Sequence, residues 1–196
     1  DVGEPTLITM VIPVFSNVAH PQEKDPGAED VLRRAITQFE QLSGINPKVA
    51  WQLVVVDDGS RDKTAGRIAE RALDRYYRQY VLRGQIKVKY IEDVLKEEGL
   101  ASPEDSRKGG AVTYGLKEAL READGYRQVF DWKKQYVGYL DPDYKETASQ
   151  LGLLLGEFKD KNIGIAFGSR RMPDSQAVAR TLRARLCSIV YNAVVR

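Results

Sequence analysis

Apolar positions along the chain switch between two spacings. Residues 7–12 (Leu-Ile-Thr-Met-Val-Ile) and 52–56 (Gln-Leu-Val-Val-Val) are short, nearly unbroken apolar runs rich in β-branched side chains. Such runs suit strands buried on both faces, as in parallel sheets. Residues 86–91 alternate as Ile-Lys-Val-Lys-Tyr-Ile, the pattern of a strand with one wetter face. Residues 136–140 and 163–167 complete five predicted strands. Between them the spacing changes to three and four. Ala28, Val31, Leu32, Ala35, Ile36, Phe39 and Leu42 form one apolar helical face that Gly44 is expected to end. Ile68, Ala69, Ala72, Leu73 and Tyr76 form a second, residues 111–123 a third and residues 151–158 a fourth. Strands alternating with helices predict right-handed crossovers, hence an α/β fold with a mostly parallel sheet and helices on both faces. Residues 16–26 and 97–108 read as long loops, a length that often carries function.

Size and charge narrow the classes. The chain has 196 residues, the length of one domain, and a formal net charge of +2. A near-balanced charge argues against a nucleic-acid partner that needs a broad basic face. There is no run of eighteen apolar residues, so no membrane span is predicted, and the N-terminus lacks the basic-then-apolar order of a signal peptide. The single cysteine, Cys187, has no internal partner and lies in an apolar run, where a buried thiol in a reducing compartment is expected. His20 has no neighbouring histidine or cysteine that would make it a metal ligand.

In open parallel sheets, ligands bind beyond the carboxyl ends of the strands. Those ends carry Pro13-Val14-Phe15-Ser16-Asn17 after the first strand, Asp57-Asp58-Gly59-Ser60-Arg61-Asp62 after the second and Asp141-Pro142-Asp143 after the fourth. Four carboxylates on one rim repel one another unless a cation or hydrogen bonds offset the repulsion. Carboxylates two apart point to opposite faces of an extended chain, but a turn stiffened by Pro142 can bring both to one ion. Mg²⁺ and Mn²⁺ prefer such hard oxygen donors together with water and phosphate. Each piece also has a plain structural reading. Asp141 and Asp143 could cap the next helix, and Gly59 with Ser60 or Asp62 could form an ordinary strand-to-helix turn. Arg107-Lys108-Gly109-Gly110-Ala111 reads as a helix start where glycines admit an anion and Lys108 adds charge. Neither a Walker loop nor a Gly-x-Gly-x-x-Gly fingerprint is present. Taken together, an acidic metal pair, a second acidic pair and a basic glycine-rich element meet the needs of a nucleotide diphosphate.

These residues, in this order, resemble the family 2 inverting glycosyltransferases of GT-A fold. The resemblance is carried by Ile12-Pro13-Val14-Phe15, by residues 54–64, by Lys108-Gly109-Gly110-Ala111-Val112, by Tyr139-Leu140-Asp141-Pro142-Asp143 and by Phe167-Gly168-Ser169-Arg170-Arg171. It spans almost the whole chain, and within the family the dolichyl- or polyprenyl-phosphate sugar synthases are the most similar branch. The resemblance implies a GT-A, Rossmann-like fold and a single nucleotide-sugar-binding domain over residues 1–196 that lacks the C-terminal acceptor-side segment. It implies that Pro13, Phe15 and Asp58 line the pocket for the base, with Asp57 supporting the same strand end. Lys108 and Gly109 would border the ribose and diphosphate. Asp141 and Asp143 would hold Mg²⁺ or Mn²⁺, with Asp141 also near the ribose. Arg170 would face the diphosphate or a phosphorylated acceptor.

The chemistry so implied is transfer of a sugar from a UDP- or GDP-sugar with inversion, to an acceptor such as a polyprenyl phosphate. Metal and basic groups would stabilise charge on the departing diphosphate. A phosphate acceptor is already an anion and needs no base, and no catalytic base is nominated. Residues 176–196 carry Val178, Leu182, Leu186, Ile189 and Val190 on one face with Arg180, Arg183 and Arg185 around it. That pattern is either a core helix or a peripheral membrane contact. The expected location is the cytoplasm or the cytoplasmic face of a membrane. Two other readings stand beside this one. A sugar nucleotidyltransferase shares a similar sheet but begins with a glycine-rich basic loop, and a non-catalytic nucleotide-sugar-binding domain would keep the pocket without turnover.

Overall fold

The computed structural model describes residues 3–15, 28–60, 63–97, 103–127, 130–140, 151–152 and 155–156, with the backbone alone at 96–97 and 103–108. The chain divides into two compact units, Asp1–Gly152 and Leu153–Arg196. The first holds four strands, β1 (Thr6–Val14), β2 (Val49–Asp57), β3 (Ile86–Tyr90) and β4 (Lys134–Tyr139). Its helices are α1 (Ala28–Ile45), α2 (Thr64–Tyr76), α3 (Arg78–Leu82), α4 (Ile91–Glu97) and α5 (Pro103–Tyr126). The strands lie in the order β3-β2-β1-β4, and each adjacent pair is parallel. This is an α/β, Rossmann-like arrangement.

The expected parallel sheet follows from the continuous apolar runs. All nine residues of β1 are buried, and eight of the nine in β2 are. Alternation assigns the faces. Val11 pairs with Val54 in the sheet, and both join Val56 in a cluster with Ile91 of α4 and Ala111 and Ala119 of α5. Trp51, of opposite parity to Val54, stacks on Phe39 of α1 at 5.7 Å between ring centroids. Thus α1 and α2 cover one face, while α4 and α5 cover the other. A β-carbon at Gly115 would overlap Val11 and come within 3.0 Å of Val56, so glycine sets how closely α5 approaches the sheet.

Several boundaries differ from expectation. The α1 helix runs through Gly44 to Ile45, because the Gly44 backbone stays helical and Asn46 N–H still reaches the Leu42 carbonyl. The strand β3 stops at Tyr90, and Ile91 turns instead into the core as the first residue of α4. Within the loop expected over 97–108, the described residues are helical: Glu97 ends α4, and residues 103–108 belong to α5. Pro103 opens α5, a position where its fixed φ suits a helix and its missing N–H costs nothing. Gly109 and Gly110 consequently lie in the second turn of α5, not at its start. The short α3 helix carries no strong apolar periodicity and was not anticipated. The strand expected at 163–167 and the helices expected at 151–158 and 176–196 fall wholly or mostly outside the described residues.

Candidate functional site

The strand order places a topological switch at β1. The chain builds outward from β1 to β2 and β3, then crosses back to lay β4 on the other side of β1. The crossovers on either side of such a switch diverge and leave a crevice above the carboxyl ends of the two strands. Here those ends are Val14-Phe15 and Tyr139-Leu140. Two backbone bonds join the rim to β1: Asp58 N–H donates to the Val14 carbonyl and Leu140 N–H to the Val11 carbonyl, both at 2.9 Å. Asp58 therefore sits beside the end of β1, and Asp141 is the next residue in sequence after Leu140. Pro13 is buried in β1, whereas the Phe15 side chain is 61% exposed just past its end. A lone exposed phenylalanine is ordinary on a protein surface. At a switch point it also offers a flat apolar face.

The β2–α2 corner shows why two aspartates precede Gly59. Asp57 ends β2 and is 2% exposed. One carboxylate oxygen accepts the Ser60 N–H at 2.7 Å, and the other accepts the Gly66 N–H at 2.6 Å. Gly66 is the third residue of α2, whose first N–H groups have no partner within the helix. Lys63, directly before the helix, makes no side-chain capping bond. Asp57 supplies a cap from the strand, and its negative charge meets the positive end of the helix dipole; Asp62, a cap expected from sequence, lies outside the described residues. The corner needs glycine twice. Gly59 has φ of 71°, and a β-carbon at Gly66 would overlap the Tyr90 ring and lie 3.1 Å from Asp57 Oδ2. Asp57 is thereby committed to the backbone, and Asp58, half-buried, is the next carboxylate along the rim in sequence.

Three rim residues escaped the sequence reading. Lys63 has φ of 57°, an unusual conformation for a residue with a β-carbon, costing roughly 1 kcal/mol. Its ammonium lies 2.5 Å from Asp93 of α4 and 4.8 Å from the centre of the Tyr90 ring. Burial, followed by the hydrogen bond and charge of Glu70, holds the Tyr90 phenol well above its ordinary pKa. Lys63 falls within residues 54–64, but nothing local assigns Lys63, Tyr90 or Asp93 a role, because their contact exists only once β2 and β3 pair.

The remaining expected site residues divide into two groups. Lys108 and Gly109 belong to α5, and the Gly109 carbonyl accepts the Thr113 hydroxyl at 2.9 Å. The helix-start anion site expected at Gly109-Gly110 is therefore corrected: in the second turn the amide N–H groups serve the helix itself. Asp141, Asp143 and Arg170 lie outside the described residues, as do His20 and Cys187. Among the described residues no three histidine, cysteine or acidic side chains gather as a cation site, and no helix is long and apolar enough to cross a membrane.

No family model matches the chain, and no solved structure matches it significantly. Curated relatives do. The chain is 26% identical over 178 residues to a dolichyl-phosphate beta-glucosyltransferase of Drosophila melanogaster, covering 88% of this chain and 43% of that protein. It is 25% identical over 170 residues to a dolichyl-phosphate beta-glucosyltransferase of Trichomonas vaginalis, covering 84% of this chain and 42% of that one. It is also 29% identical over 124 residues to an uncharacterized protein of Methanocaldococcus jannaschii, covering 63% of this chain and 42% of that protein. The chain thus spans less than half the length of these relatives while most of its own length is similar to the two named glucosyltransferases.

Proposed function

We propose that this chain is the donor-binding part of a glycosyltransferase of the dolichyl-phosphate sugar synthase kind. It would take a sugar from a UDP- or GDP-sugar and pass it with inversion to a lipid phosphate at a cytoplasmic membrane face. The observation that carries the reading is the rim itself: Asp58 is bonded to the end of β1 at a switch point, and β4, on the other side of β1, is followed in sequence by Asp141-Pro142-Asp143. The similarity to two dolichyl-phosphate glucosyltransferases supports the same reading.

The proposed roles follow from chemistry. Phe15 offers a face on which a base can stack, and Asp58 an acceptor for a base N–H. Asp141 and Asp143 are hard oxygen donors of the kind Mg²⁺ and Mn²⁺ prefer, and either cation would offset charge on the diphosphate. Lys108 and Arg170 are the cations assigned to the phosphates, with Gly109 beside Lys108. Asp57 acts through the loop it caps and not through the ligand. A phosphate acceptor arrives ionised, so no base is assigned.

Thermal unfolding with UDP- and GDP-sugars, with and without Mn²⁺, tests the reading. A ligand that binds only the folded state at a hundred times its Kd adds about 2.7 kcal/mol, a shift of several degrees. One nucleotide series should raise the midpoint in a metal-dependent way. Asp143→Ala should abolish the metal dependence, and Asp58→Ala should weaken binding without lowering the unliganded midpoint. A folded chain that no donor shifts would rule the reading out. A donor that binds with no sugar transfer to a polyprenyl phosphate would favour a non-catalytic binding domain.

A further inference from the structure

We infer that Lys63 and Asp93 are positioning residues that clamp the Asp58 turn across the top of the sheet. Three observations lead there. The turn between Asp57 and α2 is bonded on its inner side, through Asp57 to the Ser60 and Gly66 amides and through Lys63 N–H to the Ser60 carbonyl at 2.9 Å. On its outer side it ends at Lys63, a residue in the left-handed region with no side-chain cap. Glycine would take that conformation freely, so lysine at this point is explained by what its side chain reaches. It reaches Asp93 at 2.5 Å and the face of Tyr90 at 4.8 Å.

The reach has a direction. Lys63 leads into α2, which covers one face of the sheet, and Asp93 belongs to α4, which packs with α5 against the other. Their bridge passes over the carboxyl end of β3 and ties the two helical layers together at the rim. Tyr90 completes the tie from within the sheet: its ring lies against Gly66 and under the Lys63 ammonium. The Asp58 turn is thus held at one end by β1, through Asp58 N–H and the Val14 carbonyl, and at the other by this cluster. An acceptor for a base N–H must be fixed within a few tenths of an ångström to discriminate, and supporting groups around it provide that. The inference deepens the reading above and rests on it where Asp58 is said to meet the donor's base.

Lys63→Gly, Asp93→Asn and the double variant test it, using titration calorimetry with UDP and with GDP in the presence of Mn²⁺. Lys63→Gly is expected to leave the thermal midpoint unchanged or raised, because the strained φ is relieved, while nucleotide affinity falls about three- to tenfold. Asp93→Asn should weaken binding similarly, and the double variant no further, since both changes remove one bridge. Opposite movement of stability and affinity is a signature that a purely structural lysine would not give. Unchanged affinity in both single variants would overturn the inference. Hydrogen exchange on the unliganded chain separates this from failure of the functional reading. If the wild-type chain binds neither nucleotide, the donor assignment fails, and the clamp stands or falls on the amides of 58–60. Faster exchange there in both variants supports it; unchanged exchange overturns it.

Discussion

Among the described residues, the β2–α2 corner and the flank of α5 both withdraw carboxylates from water and neutralise them by different means. At the β2–α2 corner Asp57 is held by two backbone amides. On the flank between β3 and α5, Glu118 and Glu122 are held by side-chain cations. Lys89 lies 2.9 Å from Glu118 and 3.2 Å from Glu122, Arg121 lies 2.6 Å from Glu118, and Lys87 pairs with Glu122. Two periods meet there. Residues four apart on a helix are about 6.0 Å apart along its axis, and residues two apart on a strand about 6.6 Å, so the two glutamates line up with the two lysines. The flank joins side chains that could be exchanged for other complementary pairs. The corner joins a side chain to the main chain, and so fixes where the loop runs. Charge on the flank secures an element; charge at the corner shapes a site.

That difference predicts unequal costs. Asp57→Ala would leave two buried amides and a helix start unsatisfied, and should cost about 3 kcal/mol in urea unfolding. Donor binding should fall with it, since the Asp58 turn loses its inner bond. Asp57→Asn keeps one acceptor and should lose about half as much. A cost for Asp57→Ala smaller than that of any single flank substitution would break the comparison.

Gly115→Ala sharpens it. The added β-carbon meets Val11 and Val56, both buried, so α5 must move outward. Overpacking of this kind costs about 1–3 kcal/mol. The glutamates ride on α5, so hydrogen exchange should accelerate in β3 and α5 while the amides of 58–66 keep their protection. Equal acceleration in both regions would mean that the corner has no independent hold.

The same contrast decides what was legible in the sequence. The apolar runs at 7–12 and 52–56 gave away two central strands, because a strand buried on both faces has no polar positions to confuse its period. The spacing of Val31, Leu32, Ile36 and Phe39 likewise marked the face of α1 that is now fully buried. Gly59 was readable as a turn, since a glycine just past a strand end suits a tight strand-to-helix connection. The alternation of Lys87 and Lys89 reads as a wetter face, and both side chains stay partly exposed while pairing with acids of α5. Charge pattern along one element cannot show a partner on another. The start of α5 was missed for a related reason. Gly109-Gly110 is a poor helix segment by local propensity, and the helix from Pro103 carries it through. Lys63 and Asp93 are thirty residues apart, and nothing local foretells their contact.

Next in size is Glu118→Ala. Glu118 is 2% exposed, and its removal leaves Lys89 and Arg121 short of a partner. Because both cations still reach water, the cost should be about 1–2 kcal/mol, below the 3–5 kcal/mol typical of a fully buried broken pair. Replacing Glu118 and Lys89 together by leucine and methionine should cost less than Glu118→Ala alone, as exchange of a whole ion pair for apolar packing is often neutral. No such rescue exists at the corner, since the amides that hold Asp57 cannot be mutated away. A double replacement costlier than the single would show that the flank, too, is a specified geometry.

The smallest effect is in pH. Burial pushes Glu122 upward, but the ammonium groups of Lys87 and Lys89 outweigh it, so its pKa lies below the ordinary 4.5. A carboxyl depressed in the folded state binds its proton more readily when unfolded. Its contribution to stability is therefore complete above pH 4.5 and is lost as pH falls through the folded value. Lys89 is the mirror case. Burial lowers its pKa, yet hydrogen bonds and charge from Glu118 and Glu122 carry it above 10.5. Its contribution is complete below pH 10.5 and lost as pH rises through the folded value. The flank should accordingly give a plateau bounded on both sides, its acid limb amounting to under about 1 kcal/mol for a partly exposed pair. Glu122→Gln should flatten the acid limb of unfolding free energy between about pH 5 and 3, leaving the corner's exchange protection unaltered. An acid limb as steep in the variant as in the parent would place the depressed proton elsewhere, and would return the flank to the standing of ordinary surface pairs.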